Sequence, residues 1–248
     1  MSRQRRQDII DKGVHKGTIE ETYVYPMLGG RNIARWMVKS NEFMLVPHTA
    51  EHKYGIPEEI LAQTAPETYQ WLNFYHDELL DTRIQNGKFY NPDTQPFYRL
   101  DNVGTYTYAP YKVLWKEQAG SMSAVVVGSY LESVPDADDT LFSADKPIVV
   151  DSKVLMLDVY DEAEAYYVCG IINAPEIITV VDGYAISTNR GVDVLKYIAI
   201  PKYNCTDSCH KAIASKSKEI HMEMKKGNTL KLKTLESDLD RLVHTLFE

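Results

Sequence analysis

Residues 148–174 decide the fold class, because the pattern of apolar side chains changes there from that of a strand to that of a helix. The stretch is IVVDSKVLMLDVYDEAEAYYVCGIINA. Its first half, 148–160, carries the β-branched and aliphatic content of strands. In its second half, 162–174, the apolar residues fall on one side of a helix. The segment therefore predicts a strand that is followed directly by a helix.

Working outward, we find strands and helices that do not alternate regularly. Helical spacing follows Pro66 and runs again from Asn204 to the end of the chain. Further strands are predicted at 42–47, 111–115, 123–127, 177–181 and 197–200. This order predicts an α+β fold with a mixed β-sheet core, flanking helices and a C-terminal helical segment. We divide the chain into an N-terminal polar segment (1–22), a central domain (23–204) and a C-terminal helical segment (205–248).

The composition is typical of a globular protein with a core of its own. The chain has 248 residues, of which 44% are hydrophobic and 25% charged. It contains no apolar run of about 18 residues, so no membrane partner is expected. The charged start, MSRQRR, is unlike a signal peptide. Three cysteines argue against a disulfide framework. The sequence thus predicts a soluble, cytoplasmic protein.

The net charge of −8 is concentrated in one block. Residues 132–182 hold twelve acidic and two basic side chains, which leaves about +2 for the rest of the chain. Such a block is typical of a solvated acidic loop. Proteins that bind nucleic acid usually present a basic face, and the remainder can still present one. The charge therefore permits a DNA partner but predicts weak binding, with a shallow salt dependence, for the chain alone.

Familiar catalytic motifs are absent: the sequence has no glycine-rich phosphate loop, no nucleophile elbow and no His-Glu-x-x-His. One short pattern fits a Mg²⁺-dependent nuclease, in which Asp136 and Asp151 would hold the ion and Lys153 would orient or activate water. The same residues also fit a surface turn and a strand edge, so the nuclease stays an alternative.

A zinc site is a weaker hypothesis. Cys205, Cys209 and His210 offer three ligands, but a fourth is lacking and adjacent Cys-His is a poor spacing for a tetrahedral site. We interpret this stretch as the start of a helix and predict no metal site.

Residues 97–116 interleave aromatic with basic side chains, and amide and hydroxyl groups follow. Lysine and arginine suit phosphate contacts, whereas glutamine or arginine pairs with base edges. Tyrosine and tryptophan at strand spacing are equally typical of core packing. The polar neighbours, rather than the rings, therefore indicate binding.

Several longer segments, spread over residues 23–248, are more specific. They are VYPMLGGRNIARW (24–36), LVPHT (45–49), PETYQWL with LLDTR (66–83), YKVLWK (111–116), YYVCGIINAP (166–175), IAIPK (198–202) and LDRLVHTLF (239–247). In this order they resemble the C-terminal target-recognition, or specificity, region of adenine-N6 DNA methyltransferases and fused type II restriction–modification enzymes (the TaqI-like specificity domain). The resemblance implies that residues 23–204 form a DNA target-recognition domain.

The family's catalytic module is missing from the sequence, which has neither its glycine-rich cofactor motif nor its Asn/Asp-Pro-Pro-Tyr/Phe tetrapeptide. The resemblance therefore implies a chain that is not an enzyme by itself and binds no cofactor. S-adenosylmethionine is expected only in a fused or separate methyltransferase catalytic domain. The implied partners are that domain and double-stranded DNA, whose bases the chain would read in the major groove while the catalytic domain flips out the target adenine.

Eight residues are candidate DNA contacts by this analogy. Arg31 and Arg35 would hold phosphates, although Gly30 stands where the family usually has another arginine. The others lie on or beside the expected reading strand and loop, or after a later turn: Lys112, Lys116, Gln118, Ser121, Ser123 and Arg190.

A protein-interaction module is a further alternative. In that case the C-terminal helix would dock a partner helix through a stripe of leucines. The stripe consists of Leu232, Leu235, Leu239, Leu242 and Leu246. Exposure of the stripe would favour this function, and burial against the chain's own core would not.

Overall fold

The computed structural model describes residues 10–86, 90–184, 195 and 198–248. The chain divides into two compact units. Unit 1 comprises Met1–Tyr25 and Met44–Tyr108, and unit 2 comprises Pro26–Phe43 and Ala109–Glu248. The functional division at residues 22 and 204 stays a prediction. In the packing of the chain, the C-terminal helical segment belongs to unit 2 together with the central sheet.

Helices and strands together confirm the α+β class. The helices described are α1 (Glu58–Thr64), α2 (Pro66–Phe74), α3 (His76–Asn86), α4 (Tyr130–Ser133), α5 (Glu162–Ile172), α6 (Pro175–Tyr184), α7 (Ser208–Lys225) and α8 (Thr229–Phe247). The strands described are β1 (Val24–Leu28), β2 (Ile33–Ala34), β3 (Met37–Val38), β4 (Glu42–Leu45), β5 (Tyr111–Lys116), β6 (Ala124–Val127), β7 (Val149–Val150) and β8 (Val154–Val159).

Unit 1 is built on three consecutive short helices, α1 to α3. Pro66 begins α2, a position where its missing N–H costs nothing. The carboxylate of Glu20 accepts hydrogen bonds from the amides of Glu67 (3.0 Å) and Thr68 (2.7 Å) at the same helix start. The helices enclose a core of Ile56, Leu61, Ala65, Leu72, Phe97 and Tyr98.

The central sheet of unit 2 has the strand order β6-β5-β8, with both pairs antiparallel. Both faces of β5 are buried, and residues 113–115 in its middle are all apolar. Successive side chains point to opposite faces. Trp115 belongs to the core under the helices, whereas Leu114 belongs to a second core with Leu28 and Ile33. The sheet is thus held rigidly from two sides.

Helices α5, α7 and α8 pack on one side of this sheet. Asp161 begins α5 by accepting the amide hydrogen of Glu164 at 2.9 Å. Gly170 permits the close approach of α5 and α7, because a Cβ at this position would lie 3.1 Å from side-chain carbons of Ile213 and Ser217.

Strands β2 and β3 form a short antiparallel hairpin, and β1 pairs in parallel with β7 through Met27–Val149 and Leu28–Val150. Trp36, between β2 and β3, has a φ of 68°, which is unusual for a bulky residue. Its amide donates to the carbonyl of Ala124 at 3.0 Å, and its indole N–H donates to Glu236 at 2.7 Å. These two bonds hold the strained residue in place.

Several sequence predictions need correction. Residues 177–181 are not a strand but part of α6, because Ile177 and Val181 are both buried in the core of unit 2 and tertiary packing overrides their β-branched neighbours. Residues 198–200 form no strand, and Tyr197 lies outside the described residues. The acidic block at 132–182 is not a loop, since it contains β7, β8, α5 and α6.

Candidate functional site

Four of the candidate DNA contacts lie at one end of the central sheet of unit 2. Lys116 ends β5, and Gln118 and Ser121 are exposed in the connection that leads to β6. Ser123, half-buried, immediately precedes β6. The connection is short and begins and ends in buried strands, so its polar groups are presented from a rigid base.

A fifth polar side chain, Lys153, reaches the same end of the sheet from the turn between β7 and β8. The amide of Glu117 donates to the carbonyl of Lys153 at 3.1 Å, and the ammonium of Lys153 forms an ion pair with the Glu117 carboxylate at 2.8 Å. That pairing raises the pKa of Lys153. We call this group the polar edge; its members are Lys116, Gln118, Ser121, Ser123 and Lys153.

The polar edge also carries acidic neighbours. Ser121 donates from its hydroxyl to Asp182 at 2.7 Å, and the amide of Met122 donates to the same carboxylate at 3.2 Å. The ammonium of Lys116 forms no hydrogen bond or ion pair within the described residues. The edge therefore has little net charge and suits short-range hydrogen bonding better than long-range attraction.

Arg31 lies on the short 3₁₀ turn Gly30–Asn32, close to the turn that carries Lys153. A Cβ added at Gly30 would lie 3.7 Å from the carbonyl oxygen of Lys153. The guanidinium of Arg31 is largely exposed and forms an ion pair with Glu42. Because an exposed pair of this kind contributes little stability, Arg31 remains free to exchange this partner for a phosphate.

Arg35 is held inside unit 2. Its guanidinium forms a 2.7 Å ion pair with Glu236 of α8 and donates to the carbonyl of Asn173 at 2.7 Å, where α5 ends. It also lies over the ring of Trp36, 5.3 Å from the ring centre. Burial lowers the pKa of Arg35, and the charge of Glu236 opposes that shift. Through these contacts Arg35 joins the β2–β3 hairpin to the last helix.

Lys112 lies inside the sheet rather than on its surface. It is only 1% exposed, and its ammonium donates to the carbonyl of Ala109 at 2.8 Å. Burial lowers its pKa to about 8, although the charge of Asp158 raises it. In this position Lys112 has no access to a phosphate. Arg190, the last of the candidates, lies outside the described residues.

The residues of the nuclease alternative are engaged in local contacts. Lys153 pairs with Glu117, and the carboxylate of Asp151 accepts from the amide and hydroxyl of Ser152. Asp136 lies in the turn after α4, with a φ of 53°. Within the described ranges, no group of three or more His, Cys, Asp and Glu side chains is placed to hold a metal ion.

The cysteine-rich stretch is the start of a helix, as the sequence predicts. Asp207 accepts hydrogen bonds from the amides of Cys209 and His210 and so begins α7. Cys209 donates weakly to the carbonyl of Leu242 at 3.7 Å, and His210 stacks on Tyr167. Cys205 is exposed.

The leucine stripe of the interaction-module alternative is turned toward the protein's own core. Leu232, Leu235 and Leu239 are buried in the core of unit 2, and Leu242 and Leu246 pack partly against it. This burial disfavours docking of a partner helix through that stripe. Among the helices that the structure describes, none is both long and apolar enough to cross a membrane.

Sequence reasoning missed three buried or half-buried basic side chains in unit 1. His48, Arg83 and Arg99 lie far apart in the chain, and the Nδ1 of His48 and the Nε of Arg83 are buried with no hydrogen-bond partner among the described residues. Their spacing gives no local signal, because they lie on α3 and on two loops and are buried only by the folding of the unit.

Comparison with known proteins relates the chain to one kind of enzyme. No family model matches the sequence. Over 157 residues, or 63% of this chain, it is 27% identical to the type II methyltransferase M.NspV of Nostoc sp. (strain ATCC 29411 / PCC 7524). The match spans only 28% of that methyltransferase. This similarity supports a protein related to restriction–modification.

Proposed function

We propose that this chain is the specificity part of an adenine-N6 DNA methyltransferase or restriction–modification enzyme, and that it reads a short sequence of double-stranded DNA. A methyltransferase catalytic domain, fused or separate, performs the chemistry. The observation that carries the proposal is the polar edge, a group of exposed and half-buried amide, hydroxyl and ammonium groups at one end of a buried strand pair. The similarity to a type II methyltransferase is our reason for proposing DNA as the molecule that this edge contacts.

In this proposal some members of the polar edge read DNA bases and others contact phosphates. The amide of Gln118 donates and accepts at once, which suits paired hydrogen bonds to the edge of an adenine in the major groove. Ser121 and Ser123 hydroxyls accept or donate according to the base they meet. In this proposal Lys116, Lys153 and Arg31 contact phosphates near such a base.

Arg35 and Lys112 take no direct part in this proposal, because their charged groups are engaged inside unit 2. They support the edge instead. Lys112 lies on β5, and Arg35 secures the hairpin whose Trp36 is bonded to the first residue of β6.

Methyl transfer is assigned to the catalytic partner. The sequence of this chain lacks the glycine-rich motif and the Asn/Asp-Pro-Pro-Tyr/Phe tetrapeptide with which that family binds S-adenosylmethionine and the target adenine. In this proposal the residues of this chain contribute recognition of DNA and take no part in methyl transfer.

Selection from random duplex DNA tests the proposal. The full chain, alone and with a methyltransferase catalytic domain, is expected to enrich a short common site and to bind it more weakly as salt increases. Lys116→Gln should weaken binding to all duplexes and reduce the salt slope by about one. Gln118→Ala should instead reduce the preference for the selected site by about tenfold.

Arg241→Gln provides the matched control. Arg241 is an exposed cation on α8 that pairs with Asp238 of the same helix, and its loss should leave both affinity and preference unchanged. The proposal is overturned if neither the chain alone nor its mixture with the catalytic domain shows salt-sensitive binding to any duplex.

A further inference from the structure

A cavity lies in unit 2 between helix α7, the β2–β3 hairpin and strand β6, and we call it the α7 cavity. Its volume is about 170 Å³, close to the volume of about 150 Å³ of an engineered protein cavity that holds one benzene ring. Four residues of α7 line it: Lys218, His221, Met222 and Lys225. Their spacing of three and four places them on one face of the helix. The α7 cavity therefore has room for one ring with a small substituent.

The walls of the α7 cavity are largely apolar. Met37 and Val38 of the hairpin and Val125 of β6 line it opposite the helix, and the two valines are buried. Met222 also lines the cavity but is 49% exposed, so it borders the opening. Its flexible thioether adapts to the shape of an apolar or aromatic group. An apolar group that enters the cavity thus leaves water for a surface that already exists.

Three rings form part of the wall. The imidazole of His221 meets two of them edge-on, with ring centres 5.2 Å from that of Trp36 and 5.1 Å from that of Tyr166. Both nitrogens of His221 are engaged, because one accepts the amide hydrogen of Val126 at 3.1 Å and the other donates to the carbonyl of Ser217 at 2.8 Å. Burial lowers the pKa of His221 to about 4. At neutral pH the imidazole is therefore an uncharged part of the wall.

The polar groups at the α7 cavity are mostly hydrogen-bond donors. The ammonium of Lys225 donates to the main-chain carbonyl of Glu132 and forms no ion pair within the described residues. Lys218 adds a second ammonium, which is paired with Glu162 at 2.7 Å. The hydroxyl of Tyr166 forms no hydrogen bond in the part of the chain that the structure describes. Burial raises the pKa of Tyr166, so this hydroxyl keeps its proton and remains a donor.

These donors suit an anionic group. Two ammonium groups line the α7 cavity, those of Lys218 and Lys225, against the one carboxylate of Glu132. Lys225 is exposed, so a ligand can reach its ammonium from solvent. A carboxylate would give this ammonium a charge-assisted hydrogen bond, which is stronger than its bond to a neutral carbonyl.

We propose that the α7 cavity binds a small organic anion that carries its carboxylate on an aromatic ring. The ring enters between the apolar side chains and the Tyr166 and His221 rings, and the carboxylate accepts hydrogen bonds from the Lys225 ammonium and the Tyr166 hydroxyl. None of the members of the polar edge lines this cavity. The inference therefore goes beyond the proposed reading of DNA and does not depend on it.

Benzoate, benzamide and benzamidine are the probes, because they share one ring and differ in charge. In buffers of equal ionic strength, benzoate should bind the full chain with a dissociation constant on the order of 1 mM. Benzamide should bind about tenfold more weakly, and benzamidine more weakly still. Nuclear magnetic resonance locates the ligand: benzoate should shift the indole N–H signal of Trp36, which lines the cavity, but not that of Trp71, which does not.

Two substitutions at the opening should act in opposite directions. Lys225→Gln should weaken benzoate binding about tenfold and leave benzamide binding unchanged, a difference that misfolding does not produce. Glu132→Gln removes the repelling carboxylate and should tighten benzoate binding several-fold. Lys211→Gln is the matched control. Lys211 is an exposed cation on the same helix, about 21 Å along its axis from Lys225, and its loss should leave benzoate binding unchanged.

The charge series and the variants can each overturn the inference. It fails if benzamide or benzamidine binds as tightly as benzoate, or if Lys225→Gln keeps the wild-type affinity for benzoate. It also fails if Glu132→Gln binds benzoate more weakly than the wild type, or if about 10 mM benzoate, ten times the expected dissociation constant, does not shift the Trp36 signal. DNA takes no part in these measurements, so their failure is distinct from a failure of the proposed function.

Discussion

Arg35 of the β2–β3 hairpin forms a 2.7 Å ion pair with Glu236 of the last helix. The same carboxylate oxygen of Glu236 accepts the indole N–H of Trp36 at 2.7 Å. One acidic side chain near the end of the chain therefore fixes two adjacent residues near its beginning. Since the amide of Trp36 is bonded to β6, this pair stabilises the hairpin on which the polar edge depends.

Removal of that carboxylate should destabilise unit 2. Glu236→Ala leaves the half-buried guanidinium of Arg35 without its ion-pair partner and should lower the free energy of unfolding by about 2 kcal/mol, discounted for partial exposure. Urea unfolding followed by circular dichroism measures the change. Arg241→Gln, which removes an exposed pair on the same helix, should cost less than about 0.5 kcal/mol. Equal effects of the two substitutions would contradict the role given to Glu236.

Replacing Gly170 and replacing Gly183 by alanine should have different effects on stability. In α5, Gly170→Ala places a Cβ 3.1 Å from Ile213 and Ser217, so the α5–α7 contact must open. In α6, the Cβ of Gly183→Ala meets nothing within 4 Å, and only the gain in helix propensity remains. We expect the Gly183→Ala protein to be more stable than the Gly170→Ala protein by about 1 kcal/mol or more. Thermal unfolding of both variants measures this difference, and identical midpoints would rule out close packing at Gly170.

Acidification from pH 7 to pH 5 should weaken the fold through two buried histidines. Burial lowers the pKa of His221 and of His48 to about 4, below the value of about 6.5 in the unfolded chain. Between these values the unfolded state binds more protons, so stability is full above about pH 6.5 and is lost as the pH falls toward 4. The expected loss by pH 5 is about 2 kcal/mol for each imidazole.

The variant His221→Gln separates this effect from other titrations. Its amide can replace both hydrogen bonds of the imidazole, to the Val126 amide and the Ser217 carbonyl, without taking up a proton. Its unfolding free energy should change about half as much between pH 7 and pH 5 as that of the wild type. The exposed His244, whose pKa is raised by Glu176, is the control, and His244→Gln should not reduce the loss. An undiminished loss in His221→Gln would refute the assignment.

Lys112→Met should stabilise the protein at neutral pH. The ammonium of Lys112 is buried, and burial lowers its pKa to about 8, which means that its charged form is destabilised by folding below the ordinary pKa of about 10.4. Methionine avoids this cost at the price of one hydrogen bond to Ala109. We expect a gain of about 1 kcal/mol at pH 7 that shrinks toward pH 10. Unfolding measured at both pH values checks it, and a destabilised variant at pH 7 would contradict it.

Local patterns in the sequence were sufficient to predict most of the helices and strands. The strands β5 and β6, the helix α5 and the leucine-bearing α8 follow from apolar periodicity, because each has enough residues to show its period. The start of α7 follows from Asp207, whose carboxylate caps the helix locally. The prediction of a strand at residues 177–181 was wrong because β-branched side chains favour a strand locally, whereas the helix observed there is stabilised by burial of Ile177 and Val181.

The sequence by itself determined the α+β class and the residue types available for binding, since periodicity and composition are properties of neighbouring residues. Only the tertiary structure decided which charges reach solvent. Lys112 and Lys116 lie on one strand, yet the former is buried and the latter ends the strand at the polar edge. Arg35 and Arg31 also differ: the guanidinium of Arg35 is paired with Glu236 inside unit 2, whereas the guanidinium of Arg31 stays exposed. Burial and pairing depend on segments far apart in the chain, which is why the buried basic side chains of unit 1 emerged only from the fold.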